Sequence, residues 1–309
     1  MHCFFVSDLH GEVGRYQKLF TRIVEERPAA VFLGGDLLPL PEDEDWRALL
    51  GTDDFVSGFL VRGFQRLATV LGTERPRVLL ILGNRDLRLC EPAIEEAAAL
   101  GTWDYVHGRR VELGPHAVYG YANTPPSPLT MKDWERYDVE RACAPGQLAP
   151  EAGDCSVPIS TEEIAHGTLR DDLAALLGGA DLSQAILLCH APPFDTALDQ
   201  GTPASEAERA SAAASAAAPA SARAAPLGGT GRGAGSARSL GSRALRAVIE
   251  ERQPMLGLHG HIHEAARLTG RWQDRIGRTL LFTAAHDGPE LALVRFDTEF
   301  PRQATRELL

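Results

Sequence analysis

Cys3-Phe4-Phe5-Val6-Ser7-Asp8-Leu9-His10 opens the chain with an apolar run that ends on a carboxylate and an imidazole one residue apart. Four consecutive apolar residues followed by a polar turn read as a strand covered on both faces. Working outward, four further apolar runs end the same way. Val31 to Leu33 leads into Gly34-Gly35-Asp36, and Val78 to Leu82 leads into Gly83-Asn84-Arg85-Asp86. Ile186 to Cys189 leads into His190, and Met255 to Leu258 leads into His259-Gly260-His261-Ile262-His263. Strands separated by helical stretches predict an α/β layered fold. Carboxylates, imidazoles and an amide gathered at the carboxyl ends of such strands are what a two-metal hydrolytic site requires.

Between these runs the periodicity is helical. Tyr16, Leu19, Phe20, Ile23 and Val24 form one stripe over 14–27, and Pro28 stops the helix. Pro92 opens a second helix over 93–100, and Gly241 to Arg252 carries Leu245, Val248 and Ile249 on one face. Ser160 with Glu163 has the spacing of a capping box ahead of Leu169, Leu173, Leu176 and Leu177. Short apolar stretches broken by Gly108 and Gly114 predict a strand-rich meander over 105–121, and 280–284 and 291–296 read as closing strands. The stretch 124–154, with Pro125, Pro126, Pro128, Trp134 and Tyr137, is too long for a plain connection and is expected to be a functional loop near the site.

One segment breaks the pattern. Pro203 to Ser239 is nearly all Ala, Ser, Gly, Arg and Pro, with Leu227 as its one large aliphatic side chain. It lacks the apolar surface needed to offset its ordering entropy, and it reads as a disordered insertion in one domain spanning 1–309.

Composition narrows the partners. The chain has 309 residues, 44% hydrophobic and 24% charged, which is ordinary for a globular protein with a sizeable core. A formal charge of -11 argues against an extended nucleic-acid face, since phosphate backbones are gripped by clustered Lys and Arg. Bound divalent cations would still make one cleft locally positive, which keeps a small phosphorylated substrate in view. Cys3, Cys90, Cys143, Cys155 and Cys189 are scattered and odd in number, which fits neither a disulfide framework nor a zinc ribbon. No apolar run approaches a membrane span, and no signal-like segment leads the chain, so a cytoplasmic protein without membrane contact is expected.

The ligand types define the chemistry further. Asp8 and His10 can face one metal across a turn, and a carboxylate at Asp36 can bridge two cations, one oxygen to each. Asn84 supplies a neutral amide oxygen, and His261 with His263 repeats the spacing of Asp8 with His10. Any one of these histidines alone would read as a structural imidazole; five motifs at five strand ends read as a metal site. Mixed nitrogen and oxygen ligands suit Mn²⁺ or Fe²⁺ first, with Zn²⁺, Co²⁺ and Ni²⁺ also compatible.

In order and spacing these motifs resemble the calcineurin-like metallophosphoesterases over nearly the whole chain. The stretches His190-Ala191-Pro192-Pro193-Phe194-Asp195-Thr196-Ala197-Leu198-Asp199, Gly241-Ser242-Arg243-Ala244-Leu245 and Asp133-Trp134-Glu135-Arg136-Tyr137-Asp138 resemble a branch of predicted phosphoesterases in that superfamily. The resemblance implies two mixed β-sheets packed face to face as a sandwich, flanked by α-helices. It implies one metal on Asp8, His10, Asp36 and His263, and a second on Asp36, Asn84, His190 and His261. It also implies hydrolysis of a phosphodiester by a metal-bridging hydroxide, with a nucleotide-derived ester among the candidates and a phosphomonoester as the alternative. A binding scaffold or nucleotide sensor on the same fold is the rival, and the filled ligand positions weigh against it.

One departure bears on mechanism: Arg85 stands where many members of the superfamily have a histidine that protonates the leaving group. Arg85 is expected to grip the phosphoryl group, held by Asp86, so that Asn84, Arg85 and Asp86 form the catalytic turn. A surface ion pair between Arg85 and Asp86 is the alternative. His286, with Asp287, follows a strand where the superfamily often closes its site, and it is a candidate for contacting substrate. Glu264 is a candidate to orient a ligating imidazole, with a solvated glutamate at a helix start as the alternative; Cys189 is expected to pack in the core, and His259 in the core or just behind the ligands. Limited proteolysis of the native protein should cut first within 203–239; protection of that stretch, with cleavage elsewhere, would contradict the low-complexity reading.

Overall fold

The computed structural model describes residues 1–40, 45–52, 54–160, 167–202 and 238–309. Most of the low-complexity stretch, and Glu163 of the expected capping box, lie outside the described residues.

All five apolar runs are strands, and each is buried over most or all of its length. In chain order they and their companions are β1 (His2–Val6), β2 (Ala30–Gly34), β3 (Arg77–Ile81), β4 (Asp104–Tyr105), β5 (Arg110–Leu113), β6 (His116–Tyr121), β7 (Ile186–Cys189), β8 (Gln200–Gly201), β9 (Arg238–Ser239), β10 (Leu256–His259), β11 (Gln273–Ile276), β12 (Thr279–Thr283), β13 (Ala292–Asp297) and β14 (Thr305–Leu308). One six-stranded sheet runs β14-β13-β1-β2-β3-β4, and a second runs β11-β12-β10-β7-β6-β5. In each, the central strands pair in parallel and an edge is antiparallel: β1 with β2 and β2 with β3 are parallel, while β1 with β13 is antiparallel. The two sheets share one apolar core, in which Phe5, Val6, Phe32, Leu80 and Ile81 of the first meet Ile186, Leu188, Leu258 and Phe282 of the second. This is the sandwich of mixed sheets that the sequence resemblance implies.

The helices cover the outer faces. They are α1 (Val13–Glu26), α2 (Asp45–Leu50), α3 (Arg62–Leu71), α4 (Glu91–Ala99), α5 (Leu169–Leu177), α6 (Arg243–Arg252) and α7 (Ala265–Thr269). The stripe on α1 is realised, with Tyr16, Leu19 and Ile23 buried. Helices α5 and α6 bury Leu169, Leu173, Leu177, Leu245 and Ile249 with Tyr119, Leu187 and Leu281 on the other side of the second sheet. The meander over 105–121 is β4 to β6 as expected, whereas β11, β14 and α3 were not read from the sequence.

Two local readings are corrected. The cap of α5 is Thr168, whose hydroxyl oxygen accepts from the Asp171 amide at 3.1 Å, so the helix starts next to its own cap and not at Ser160. Arg238 and Ser239, assigned to the low-complexity stretch, pair as β9 with Gln200 and Gly201, which brings the two flanks of that stretch together. Thr168→Ala should destabilise the protein by about 1 kcal/mol, the usual value of an N-cap. Thermal unfolding would show this as a fall of about 2–4 °C, and an unchanged midpoint would mean that packing alone fixes the start of α5.

Candidate metal centre

The loops leaving β1, β2, β3, β7 and β10 meet at one edge of the two sheets. Pairing between β1 and β2 carries on beyond the strands. The amides of Asp8, His10 and Gly11 donate to the carbonyls of Gly35, Asp36 and Leu37, each at 2.9 Å. The loops are thereby zipped together just where the side chains must converge. From the other sheet, Gly260 N donates to His190 O at 2.9 Å, and His261 N donates to Asp8 Oδ1 at 3.0 Å, which ties the second sheet's loops to the first.

This convergence carries a conformational cost in the backbone. Asp8, His10, Asp36 and His261 have φ of 57°, 46°, 53° and 74°, in the left-handed region that residues with a side chain rarely adopt. Such positions cost on the order of 1–3 kcal/mol each and collect at functional sites. Gly35, at φ 93°, makes the sharp bend before Asp36. Gly260 has no room for a side chain, because one would run into Ser7 and the Asp8 carboxylate.

Ligand atoms from Asp8, His10, Asp36 and His263 all lie within 4.8 Å of one another. His10 Nε2 stands 3.1 Å from His263 Nε2, His263 Nε2 3.1 Å from Asp8 Oδ1, and His10 Nε2 3.8 Å from Asp36 Oδ2. A cation with bonds of about 2.1 Å places its ligand atoms roughly 3–4 Å apart, and this group has that spacing. The second group is built on the other oxygen of the same carboxylate. Asp36 Oδ1 is 3.3 Å from His190 Nε2, which is 3.2 Å from Asn84 Oδ1, which in turn is 2.8 Å from His261 Nδ1. Asp36 thus faces one set of ligands with each oxygen.

The donor set itself fits divalent cations. His190 Nδ1 lies 2.7 Å from the Gly34 carbonyl and donates to it, which leaves Nε2 free to ligate; this is the usual anchoring of a metal-binding imidazole. Burial pushes His10 down to about 3, against the pull of Asp36, so its ring is neutral at physiological pH. Burial would raise Asp8, but the hydrogen bond and charge of His263 hold it at about 2. Burial likewise opposes ionisation of Asp36, and His190 overrides it, so Asp36 is anionic. Two ionised carboxylates are therefore buried side by side, an arrangement that calls for cationic charge between them. Burial alone would lower His190, yet Asp36 raises it to about 9, the mark of a position where positive charge is favoured.

Of the turn Asn84-Arg85-Asp86, the structure separates the roles. Arg85 lines the cleft beside the ligands, and its amide donates to Asp36 Oδ1 at 2.8 Å. Asp86 neither holds nor pairs with Arg85, contrary to both expectations. Its carboxylate is fully buried and accepts from the amides of Leu37, Leu38 and Gly83 at 2.7–2.9 Å. It stitches the β2 and β3 loops together and has no oxygen turned to the substrate side, because three backbone donors claim it. Burial and then the charge of Asp36 push it up to about 7.

His286 is also corrected. Its ring bonds Glu290 Oε2 at 2.9 Å within its own turn, Asp287 pairs with Arg267 at 2.6 Å, and neither lines the cleft. Glu264 is buried and takes the amide of Thr202 at 3.2 Å. His259 and Cys189 are buried, joined by His259 Nδ1 to Cys189 O at 3.1 Å. The sequence reading missed Arg15, which donates to Asp8 O at 2.7 Å and Gly288 O at 2.5 Å and so steadies the first ligand. An arginine on the polar face of an amphipathic helix carries no signal of such a task.

Beside the ligands opens a cleft of about 220 Å³, walled by Leu40, Pro125, Pro126, Ser127, Pro128, Leu129, Gln147, Leu240 and Ile262. The proline-rich loop is therefore at the site, as its length suggested. A buried pair, Lys132 with Glu135, anchors it.

No protein-family model matches the chain, and no curated protein matches it. Solved structures do. One aligns over 99% of this chain and 98% of its own, at a TM-score of 0.57 and 12% identity. TT1561 of Thermus thermophilus aligns over 99% and 98%, at 0.53 and 13%. A dimetal phosphatase from Danio rerio aligns over 96% and 91%, at 0.48 and 10%. At such identities the likeness speaks for architecture alone. The chain is a sandwich of two mixed six-stranded sheets, with a group of side chains able to hold a metal ion at the end where its central strands finish.

Chelation should lower the melting temperature, because a ligand that binds only the folded state stabilises it by mass action. Protein stripped with EDTA and then given Mn²⁺ should regain its midpoint, whereas Asp36→Asn should regain little of it. Equal midpoints in EDTA and Mn²⁺ would show that the group binds no metal of consequence.

Proposed function

We propose that the protein is a two-metal phosphodiesterase that works with Mn²⁺ or Fe²⁺. The observation that carries this reading is Asp36, whose two oxygens face two separate ligand sets across a buried centre. Asp8, His10, Asp36 and His263 would hold one cation, and Asp36, Asn84, His190 and His261 the other. When bound, the cations polarise the phosphoryl oxygens and lower the pKa of an attacking water.

The chain's own residues set what remains. Arg85 lies in the cleft with its backbone fixed by Asp36, and among the described residues no carboxylate pairs with its guanidinium. It is placed to grip a phosphoryl oxygen with paired hydrogen bonds, which a lysine could not match. It is a poor acid at neutral pH. The imidazoles that line the cleft, His10, His261 and His263, are those assigned to the cations, and burial holds His10 neutral. The departing oxygen therefore receives little proton assistance, and esters with acidic leaving groups are favoured.

The reading predicts hydrolysis of bis-(p-nitrophenyl) phosphate in Mn²⁺, faster than of p-nitrophenyl phosphate, and a loss of at least about 100-fold in Asp36→Asn, the scale on which metal-site electrostatics act. Arg85→Ala should lower kcat/KM about 10–100-fold, and Arg85→His should flatten the dependence on leaving-group acidity. Turnover by metal-free protein at the full rate would end the two-metal reading. An unchanged rate in Arg85→Ala, for aryl and alkyl esters alike, would end the clamp.

A further inference from the structure

The wall of the cleft formed by 125–129 offers a substrate no hydrogen-bond donor. Pro125, Pro126 and Pro128 have no N–H. Ser127, the one polar side chain in the wall, is turned away: its hydroxyl donates to Glu135 Oε1 at 2.5 Å and its amide to Glu135 Oε2 at 2.8 Å. The remaining amide, of Leu129, donates to Ser127 Oγ at 3.1 Å. Even the Ser127 carbonyl is taken, by Lys132 Nζ and the Leu148 amide, each at 2.9 Å. The donors of the wall are thus engaged, chiefly through the buried Lys132–Glu135 pair. Leu40, Leu240 and Ile262 complete the lining, so that beyond Arg85, the candidate ligands and the occupied Ser127, Gln147 is the one polar side chain among the described lining residues.

From this we infer that the substrate's organic group is apolar and compact, of the size of a phenyl ring or a short alkyl chain; the inference rests on the phosphodiesterase reading and narrows its substrate class. The space of about 220 Å³ lies below the roughly 300–1,000 Å³ that drug-sized ligands fill. A nucleoside is the wrong partner for this wall. Apart from the candidate metal ligands, the described lining contains no aromatic side chain on which a base could stack and one side-chain amide to read its edge. A ribose would bring hydroxyl oxygens to a wall that donates no hydrogen bond to replace those they made with water. An apolar group leaves nothing unpaired there and gains in proportion to the area it buries.

Phosphonates with a single organic arm test this on the full-length protein loaded with Mn²⁺. Calorimetric Kd values would be compared for methyl-, butyl- and phenylphosphonate and for adenosine 5′-monophosphate. Phenylphosphonate should bind at least tenfold tighter than methylphosphonate, with butyl between them and the nucleotide no tighter than methyl. In Leu240→Asn and Leu129→Asn the phenyl-to-methyl ratio should fall below about threefold. A flat series, or a nucleotide that outbinds phenylphosphonate, overturns the inference. Turnover of bis-(p-nitrophenyl) phosphate, measured on the same preparation, reports separately on the catalytic reading. Turnover with a flat series removes the apolar slot alone, and a steep series without turnover removes the hydrolase while leaving the slot.

Discussion

One carboxylate organises the site. Asp36 is buried, sits in left-handed backbone, accepts the Arg85 amide, and directs one oxygen at His10 and the other at His190. Asp8 lies in the same buried pocket with the same charge, so the folded protein keeps two anions close together in a poorly solvating interior. That arrangement is costly without compensating positive charge. The surrounding structure has to hold it in place, with positive charge at His190 offsetting part of it and bound cations suited to offset the rest.

Restraint comes from backbone hydrogen bonds more than from side-chain packing. Three amides of the β1 loop are fixed to three carbonyls of the β2 loop, and Asp86 fixes the β2 loop to the β3 loop through three further amides. The left-handed residues are therefore over-determined, and the strain stored in them is carried by the sandwich core beneath. This explains why Asp86, adjacent in sequence to the candidate clamp, is turned away from it. Its carboxylate is needed where the loops cross.

The strands and their terminal ligands were legible because both leave one-dimensional signals. A run such as Val78 to Leu82 is apolar without alternation only if both faces are covered, and a ligand at its end needs only to be named. Contacts that depend on how two distant loops lie across each other leave no such signal. Arg15 reaching the carbonyls of Asp8 and Gly288 is one case. Asp86 turning to Leu37 and Leu38 is another: adjacency to Arg85 suggested an ion pair, and three donors from the backbone won. His286 was misplaced for a related reason, since a partner four residues away, Glu290, is close in sequence and satisfies it locally. The edge strands β11 and β14 escaped because half-exposed strands dilute the apolar pattern.

The candidate metal ligands and the cleft wall are held by different means. The ligands hang from strand ends that the shared core fixes. The 125–129 wall hangs from Lys132 and Glu135, a pair with no exposed surface, and from Trp134 O receiving the Thr124 amide at 2.9 Å. Burial pushes Glu135 up while Lys132 pulls it down, and removing either partner would strand the other's charge in the interior. Replacing a wall residue such as Leu129 changes what the cleft accepts without touching a ligand. Breaking the pair beneath would release Ser127 and return donors to the wall. On the proposed reading, a fold that separates the two in this way can keep one reaction and exchange the group on which it acts.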